Sequence, residues 1–183
     1  MKRLILVFCL LLFSASSYSA GSKDGGLSLD DVRRLADSGD VVAVNALGAM
    51  YYEGYGVAQD YAKALELFRR ASDGGNSAAM SNIGRMYYLG TGVTKDLKKA
   101  AEFFQKAAQN GETEGKFMLG LLYDNGEGLK QNKKRAIELY REAAMSGYMR
   151  AQANLASMYY AGEGIKADNR EGFLLVCKSS GSG

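Results

Sequence analysis

Paired glycines of the form G-x-G stand at residues 54 and 56, 90 and 92, 126 and 128, and 162 and 164. Each pair lies 36 residues from the last, without insertion or deletion. A fixed period of this length constrains the fold more than any local motif. Each period is one small unit that cannot bury its own apolar face, so successive units must stack. The flanking residues obey the same period: YYEGYGV begins at Tyr51, YYLGTGV at Tyr87, YDNGEGL at Tyr123 and YYAGEGI at Tyr159. A dinucleotide-binding loop needs a preceding strand and a third glycine at G-x-G-x-x-G spacing. Neither is present, and a catalytic loop has no reason to recur four times.

The rest of the unit is helical in spacing. Leu47 and Tyr51 lie four apart, and Ala64, Phe68 and Ala71 lie at four and three, so each set shares one helix face. Asp60, Asp96, Asn132 and Asp168 are of the type that caps a helix N-terminus by accepting a hydrogen bond from its first free N–H groups. The glycines before them can end the preceding helix in the left-handed conformation. Each unit therefore reads as helix A, glycine turn, helix B, glycine turn.

The pattern A-x-x-x-L-G-x-x-Y-x-x-G-x-G-V-x-x-D-x-x-K-A, at Ala43 to Ala64, resembles the Sel-one-like repeat, a relative of the tetratricopeptide repeat. The resemblance implies an all-α fold: a right-handed αα superhelix, or solenoid, of four repeats at 40–75, 76–111, 112–147 and 148–183. LSLDDVRRLADSG fits a lone B helix that caps the first repeat, with the helix at 29–39 preceded by a flexible segment at 20–28. The fourth repeat is atypical. Ala156 replaces the glycine of Leu-Gly, Glu171-Gly172 replaces Lys-Ala, and Val176 replaces the aromatic at Phe68, Phe104 and Tyr140. Its open C-terminal end makes a dimer through that end one expectation.

MKRLILVFCLLLFSASSYSA reads as a secretory signal peptide over 1–19, with a basic start, a ten-residue apolar run and a small, polar cleavage region. The expected location is the bacterial periplasm, or outside the cell. Cleavage removes Lys2 and Arg3, so Lys+Arg falls from 23 to 21 against 20 acidic residues, a net charge of +1. That balance gives no electrostatic footprint for nucleic acid. With Cys9 gone, Cys177 remains alone and no intramolecular disulfide is available. The chain has no histidine, which removes the commonest general base and metal ligand. No pair of carboxylates stands out. Glu112 and Glu114 straddle a helix start and suit its dipole. Catalytic residues, cofactor and metal are therefore all expected to be absent.

Positions that repeat among the units serve stacking, and positions that vary are better candidates for binding. The resemblance implies that A helices line a concave surface. By register this surface carries Val42, Asn45, Ala49 and Tyr52, then Ala78, Ser81, Arg85 and Tyr88. It continues with Glu114, Phe117, Leu121 and Asp124, then Arg150, Ala153, Ser157 and Tyr160. Asn45, Tyr52, Arg85, Tyr88, Phe117, Leu121, Asp124, Ser157 and Tyr160 are the expected contacts to a protein or peptide, since Tyr and Arg combine area with a directed polar group. A basic ridge of Lys95, Lys98, Lys99, Lys130, Lys133, Lys134 and Arg135 is expected outside the groove. The resemblance implies a non-enzymatic adaptor of the bacterial envelope. It also admits an immunity protein that neutralises a secreted toxin and, more weakly, a β-lactam-binding or hydrolysing protein, whose relatives carry cysteines absent here.

Overall fold

The computed structural model describes residues 27–180. The expected signal peptide and residues 20–26 lie outside the described residues, as does the end of the fourth repeat at 181–183. Among the described residues are nine helices and no strand: α1 (Leu29–Asp37), α2 (Val41–Glu53), α3 (Tyr61–Asp73), α4 (Ser77–Leu89), α5 (Leu97–Gln109), α6 (Thr113–Asn125), α7 (Lys133–Met145), α8 (Met149–Ala161) and α9 (Asn169–Ser180). None is long and apolar enough to cross a membrane. The even-numbered helices are A helices; α3, α5, α7 and α9 are B helices.

The helix starts form as their capping residues dictate. Asp60 accepts from the Lys63 N–H, Asp96 from Lys98 and Lys99, Asn132 from Arg135, and Asp168 from Arg170 and Glu171, at 2.9–3.1 Å. The amide of each capping residue donates to the carbonyl of the recurring tyrosine, as from Asn132 to Tyr123 at 2.8 Å and from Asp96 to Tyr87 at 2.9 Å. The tyrosine thus closes the turn with its backbone while its ring packs.

The fold divides into two compact units between Ala79 and Met80, within α4. In the first, α1, α2 and α3 bury Val32, Ala36, Val44, Leu47 and Met50 with Leu67 and Ala71. Leu27 packs against this core and Ser28 caps α1, so the expected flexible segment is tied down at its last two residues. Ser28 and Asp31 form a reciprocal capping box: the Asp31 N–H donates to Ser28 Oγ at 3.2 Å, and the Ser28 N–H donates back to Asp31 Oδ2 at 3.0 Å. Hydrogen bonds from Ser28, helped by Arg34, lower the Asp31 pKa to about 2.

In the second unit, α5 to α8 enclose Phe104, Met118, Leu122, Leu139, Tyr140 and Leu155. The missing side chain of Gly84 leaves room for the Phe104 ring, and that of Gly120 for Tyr140. A Cβ on either glycine would stand 2.8–2.9 Å from ring carbons. Gly128 makes a second kind of close approach. Its φ is +69°, and a Cβ there would stand 2.3 Å from the Leu97 carbonyl oxygen. The turn of one repeat therefore lies directly on the start of the preceding B helix.

Candidate functional site

The second unit sets α4, α6 and α8 side by side. At the start of α6, Glu112 is the capping residue and accepts from the Gly115 N–H. The same carboxylate accepts from the Ser81 hydroxyl of α4 at 2.7 Å, which joins the two A helices. One turn further, Arg85 Nη1 lies 3.3 Å from Glu114 Oε1, and Arg85 Nη2 donates to Asn82 Oδ1 at 2.6 Å. From α8 the Arg150 guanidinium lies over the Phe117 ring, 4.7 Å from its centre, a cation–π geometry. Phe117 also meets Tyr148 at 5.1 Å and Tyr140 at 5.7 Å between ring centres. An exposed arginine is thus held in place by an aromatic floor, beside an arginine–glutamate pair.

Toward the glycine turns, Lys95 lies 5.7 Å from the centre of the Tyr88 ring. Lys133 Nζ donates to Asp124 at 3.0 Å and to Glu163 at 2.7 Å, and these bonds raise its pKa. Burial and the neighbouring Glu127 raise that of Tyr88.

Several expected contacts are accessible. Tyr160 and Ser157 are exposed, and Arg85, Tyr88, Leu121 and Asp124 are half-buried. In the first unit Tyr52 is half-buried, with its ring edge-on to Tyr61 at 5.4 Å. Two expected contacts are corrected. Asn45 is 5% exposed, and Phe117 is 2% exposed because Arg150, Tyr148 and Tyr140 surround it. Phe117 lies under the Arg150 guanidinium and offers almost no surface of its own.

Tyr148 carries a signal that the register contains. Asp40, Asn76, Glu112 and Tyr148 stand 36 apart at the starts of the A helices. The first three accept helix N–H groups, while Tyr148 makes no side-chain cap and packs its ring, tilted, against Phe117 instead. A residue that cannot cap, placed in a capping register, marks the position. The basic ridge also changes. Lys133 turns to Asp124 of the A-helix face, Lys99 pairs with Asp96 at 3.7 Å, and Arg135 pairs with Glu138 at 2.7 Å, while Lys98, Lys130 and Lys134 are exposed and make no ion pair among the described residues. Surface pairs of this kind contribute little to stability.

Burial raises the Glu114 pKa; Arg85 opposes the shift and Glu112 adds to it. A carboxyl with a raised folded pKa contributes stability below its unfolded pKa, and loses it as pH rises through the folded value. Glu114→Gln is therefore expected to gain stability relative to the parent between pH 4 and pH 7. Urea unfolding at the two pH values measures it. An unchanged difference would mean that Arg85 fully offsets the burial.

Among the described residues no three His, Cys, Asp or Glu side chains group to hold a metal ion. Helical hairpins repeated at a fixed period, faced by aromatic and charged side chains, define a tandem-repeat protein of the all-α solenoid class. The profile of the Sel1 repeat matches residues 41–76, 77–112, 113–148 and 150–180, and the chain belongs to the Sel1 repeat family. Sel1 repeats generally mediate protein–protein interaction, and the family is typically non-enzymatic.

Among solved structures, a Sel1 repeat protein from Oxalobacter formigenes is 32% identical with a TM-score of 0.79, over 84% of this chain and 63% of that one. A protective antigen of uropathogenic Escherichia coli with an SLR fold is 34% identical with a TM-score of 0.76, over 84% of this chain and 33% of that one. The chain thus spans less than two thirds of either structure's length. Cysteine-rich protein B of Helicobacter pylori shares the fold at 24% identity and a TM-score of 0.54, over 69% of this chain and 97% of that one. No curated protein matches the sequence.

Proposed function

We propose that the chain is a non-enzymatic interaction module that holds a protein or peptide segment against the A-helix face of its second unit. The observation that carries this reading is Arg150: exposed, seated over Phe117, and flanked by the Arg85–Glu114 pair and Tyr148. A side chain fixed before binding loses less freedom on binding, and arginine and tyrosine are enriched among residues that dominate interfaces. Tyr88, Leu121, Asp124, Ser157 and Tyr160 extend the same face as further contacts.

The finer role is an adaptor of the bacterial envelope. It rests on the signal-like sequence at 1–19 and on the family. A neutraliser of a secreted toxin would use the same face but bind a single partner at nanomolar strength or tighter. A pull-down from envelope extracts tests the reading, with Arg150→Ala/Tyr88→Ala as the control bait. The control is expected to keep its helical circular dichroism and to lose the partner at least tenfold, about 1.4 kcal/mol. Equal retention by both baits would move the site off the A-helix face.

A further inference from the structure

In three of the four repeats the recurring tyrosine is covered by a side chain from a B helix. Lys63 lies over the Tyr51 ring at 4.8 Å, and Lys99 lies over the Tyr87 ring at 5.4 Å. Phe103 also stacks on Tyr87, with ring centres 5.9 Å apart and planes 14° from parallel. In the fourth repeat Arg141 donates to the Tyr159 hydroxyl at 3.1 Å. Tyr123, half-buried, has no such cover among the described residues. The register shows what has changed. Arg135 stands where Lys63 and Lys99 do, but its guanidinium is drawn to Glu138 at 2.7 Å. Leu139 stands in the place of Phe103, and Gln105 in the place of Arg141. A pocket of about 140 Å³ opens here between α5, α6 and α7, with Ala108, Leu119, Tyr123 and Leu139 as its apolar lining.

We infer that this pocket receives an aromatic side chain of a partner protein, which takes the place beside Tyr123 that Phe103 takes beside Tyr87. The size suits one ring, since a cavity of roughly 150 Å³ accepts benzene. The charge suits a ring better than a cation. The rim carries Lys116 and Arg135 against Glu142 alone, and Glu142 is paired with Lys116 at 2.9 Å. A further cation would meet net positive charge, whereas the electron-rich face of a ring is attracted to it. The preceding repeat holds its ring in the same way, with Lys106 5.2 Å from the centre of Phe103. Glu142 stands in the register of Lys106 and brings the Lys116 ammonium there. Gln105 and Gln109 on the α5 side carry amides that can pair with the backbone flanking the ring, which favours a side chain over a free aromatic compound. By helical spacing Lys116, Leu119 and Tyr123 lie nearly opposite Phe117, Leu121 and Asp124 on α6. The pocket is therefore separate from the A-helix face, and either site can fail alone.

The test titrates the chain with N-acetylphenylalanine amide and follows the methyl resonances of Ala108, Leu119 and Leu139 by NMR. The expected result is a saturable ring-current shift at these methyls, in the millimolar range that a fragment of this size reaches. N-acetylleucine amide, and benzyl alcohol, which carries the ring without peptide groups, each bind more weakly, by about threefold. Leu139→Phe restores the ring of the preceding repeat, fills the pocket and removes the shifts at Ala108 and Leu119. Arg150→Ala leaves them unchanged, which keeps this site distinct from the A-helix face. Absence of a saturable shift in the parent chain overturns the inference, and that reading needs no variant to fold. Equal binding of the leucine amide overturns the choice of a ring, and equal binding of benzyl alcohol overturns the assignment to a side chain. Shifts that persist in folded Leu139→Phe place the ring elsewhere and overturn the site. A dimer of the parent that Leu139→Phe abolishes in sedimentation would give the pocket to a second copy and overturn the assignment to a partner.

Discussion

Gly128→Ala destabilises the second unit by about 3 kcal/mol, the sum of two roughly equal costs. Its φ of +69° lies in the left-handed region, where a Cβ crowds the following carbonyl at a cost of roughly 1–2 kcal/mol. The second cost comes from packing. The new Cβ stands 2.3 Å from the Leu97 carbonyl oxygen and 2.5 Å from its carbon. Backbone cannot rotate away as a side-chain end can, so the turn must lift from α5, a strain of about 1–3 kcal/mol. Gly126→Ala provides the control. Its φ is +72°, but its nearest neighbour is Gln131 Cβ at 3.1 Å. That substitution carries the conformational cost and little more, about 1–2 kcal/mol. Urea unfolding of both variants reads the difference. Equal losses would show that the turn does not rest on Leu97.

The period makes most of the fold legible before any coordinate is known. Exact recurrence places the helices, their capping Asp60, Asp96, Asn132 and Asp168, and the turns, because each of these is a local event repeated four times. The close approach at the second glycine is less legible. Sequence explains the glycines by their positive φ alone, whereas Gly128 is also held by Leu97, which lies in the preceding repeat. The candidate face is legible by register and not by exposure. Helical spacing puts Phe117 in line with Arg85 and Asp124, yet neighbouring rings from α7 and the start of α8 cover it. Such lateral cover comes from another helix of the same repeat and from the start of the next repeat, and leaves no trace in the period of α6. Lys133 shows the same limit, for its partners Asp124 and Glu163 lie nine and thirty residues away.

Phe104→Ala is expected to cost about 3–5 kcal/mol, the range for removing a fully buried aromatic ring. Phe104 is 0% exposed and its ring fills the slot left by Gly84. Collapse cannot close the void cheaply, because α4 and α5 are already spaced by a glycine against a ring. Gly84→Ala alone is also unfavourable, by about 1–3 kcal/mol, since its Cβ would meet the ring at 2.8 Å. The fourth repeat shows how the pair can change together: Ala156 stands in the glycine register and Val176 in the aromatic one. A larger residue on the A helix accompanies a smaller one on the B helix. The double variant Gly84→Ala/Phe104→Val is therefore expected to lose less than the sum of its single changes, with a coupling of about 0.5–3 kcal/mol. Urea denaturation of the four proteins closes the cycle. A coupling of zero would mean that glycine and ring act separately, and that α4 and α5 are not set at their distance by this contact.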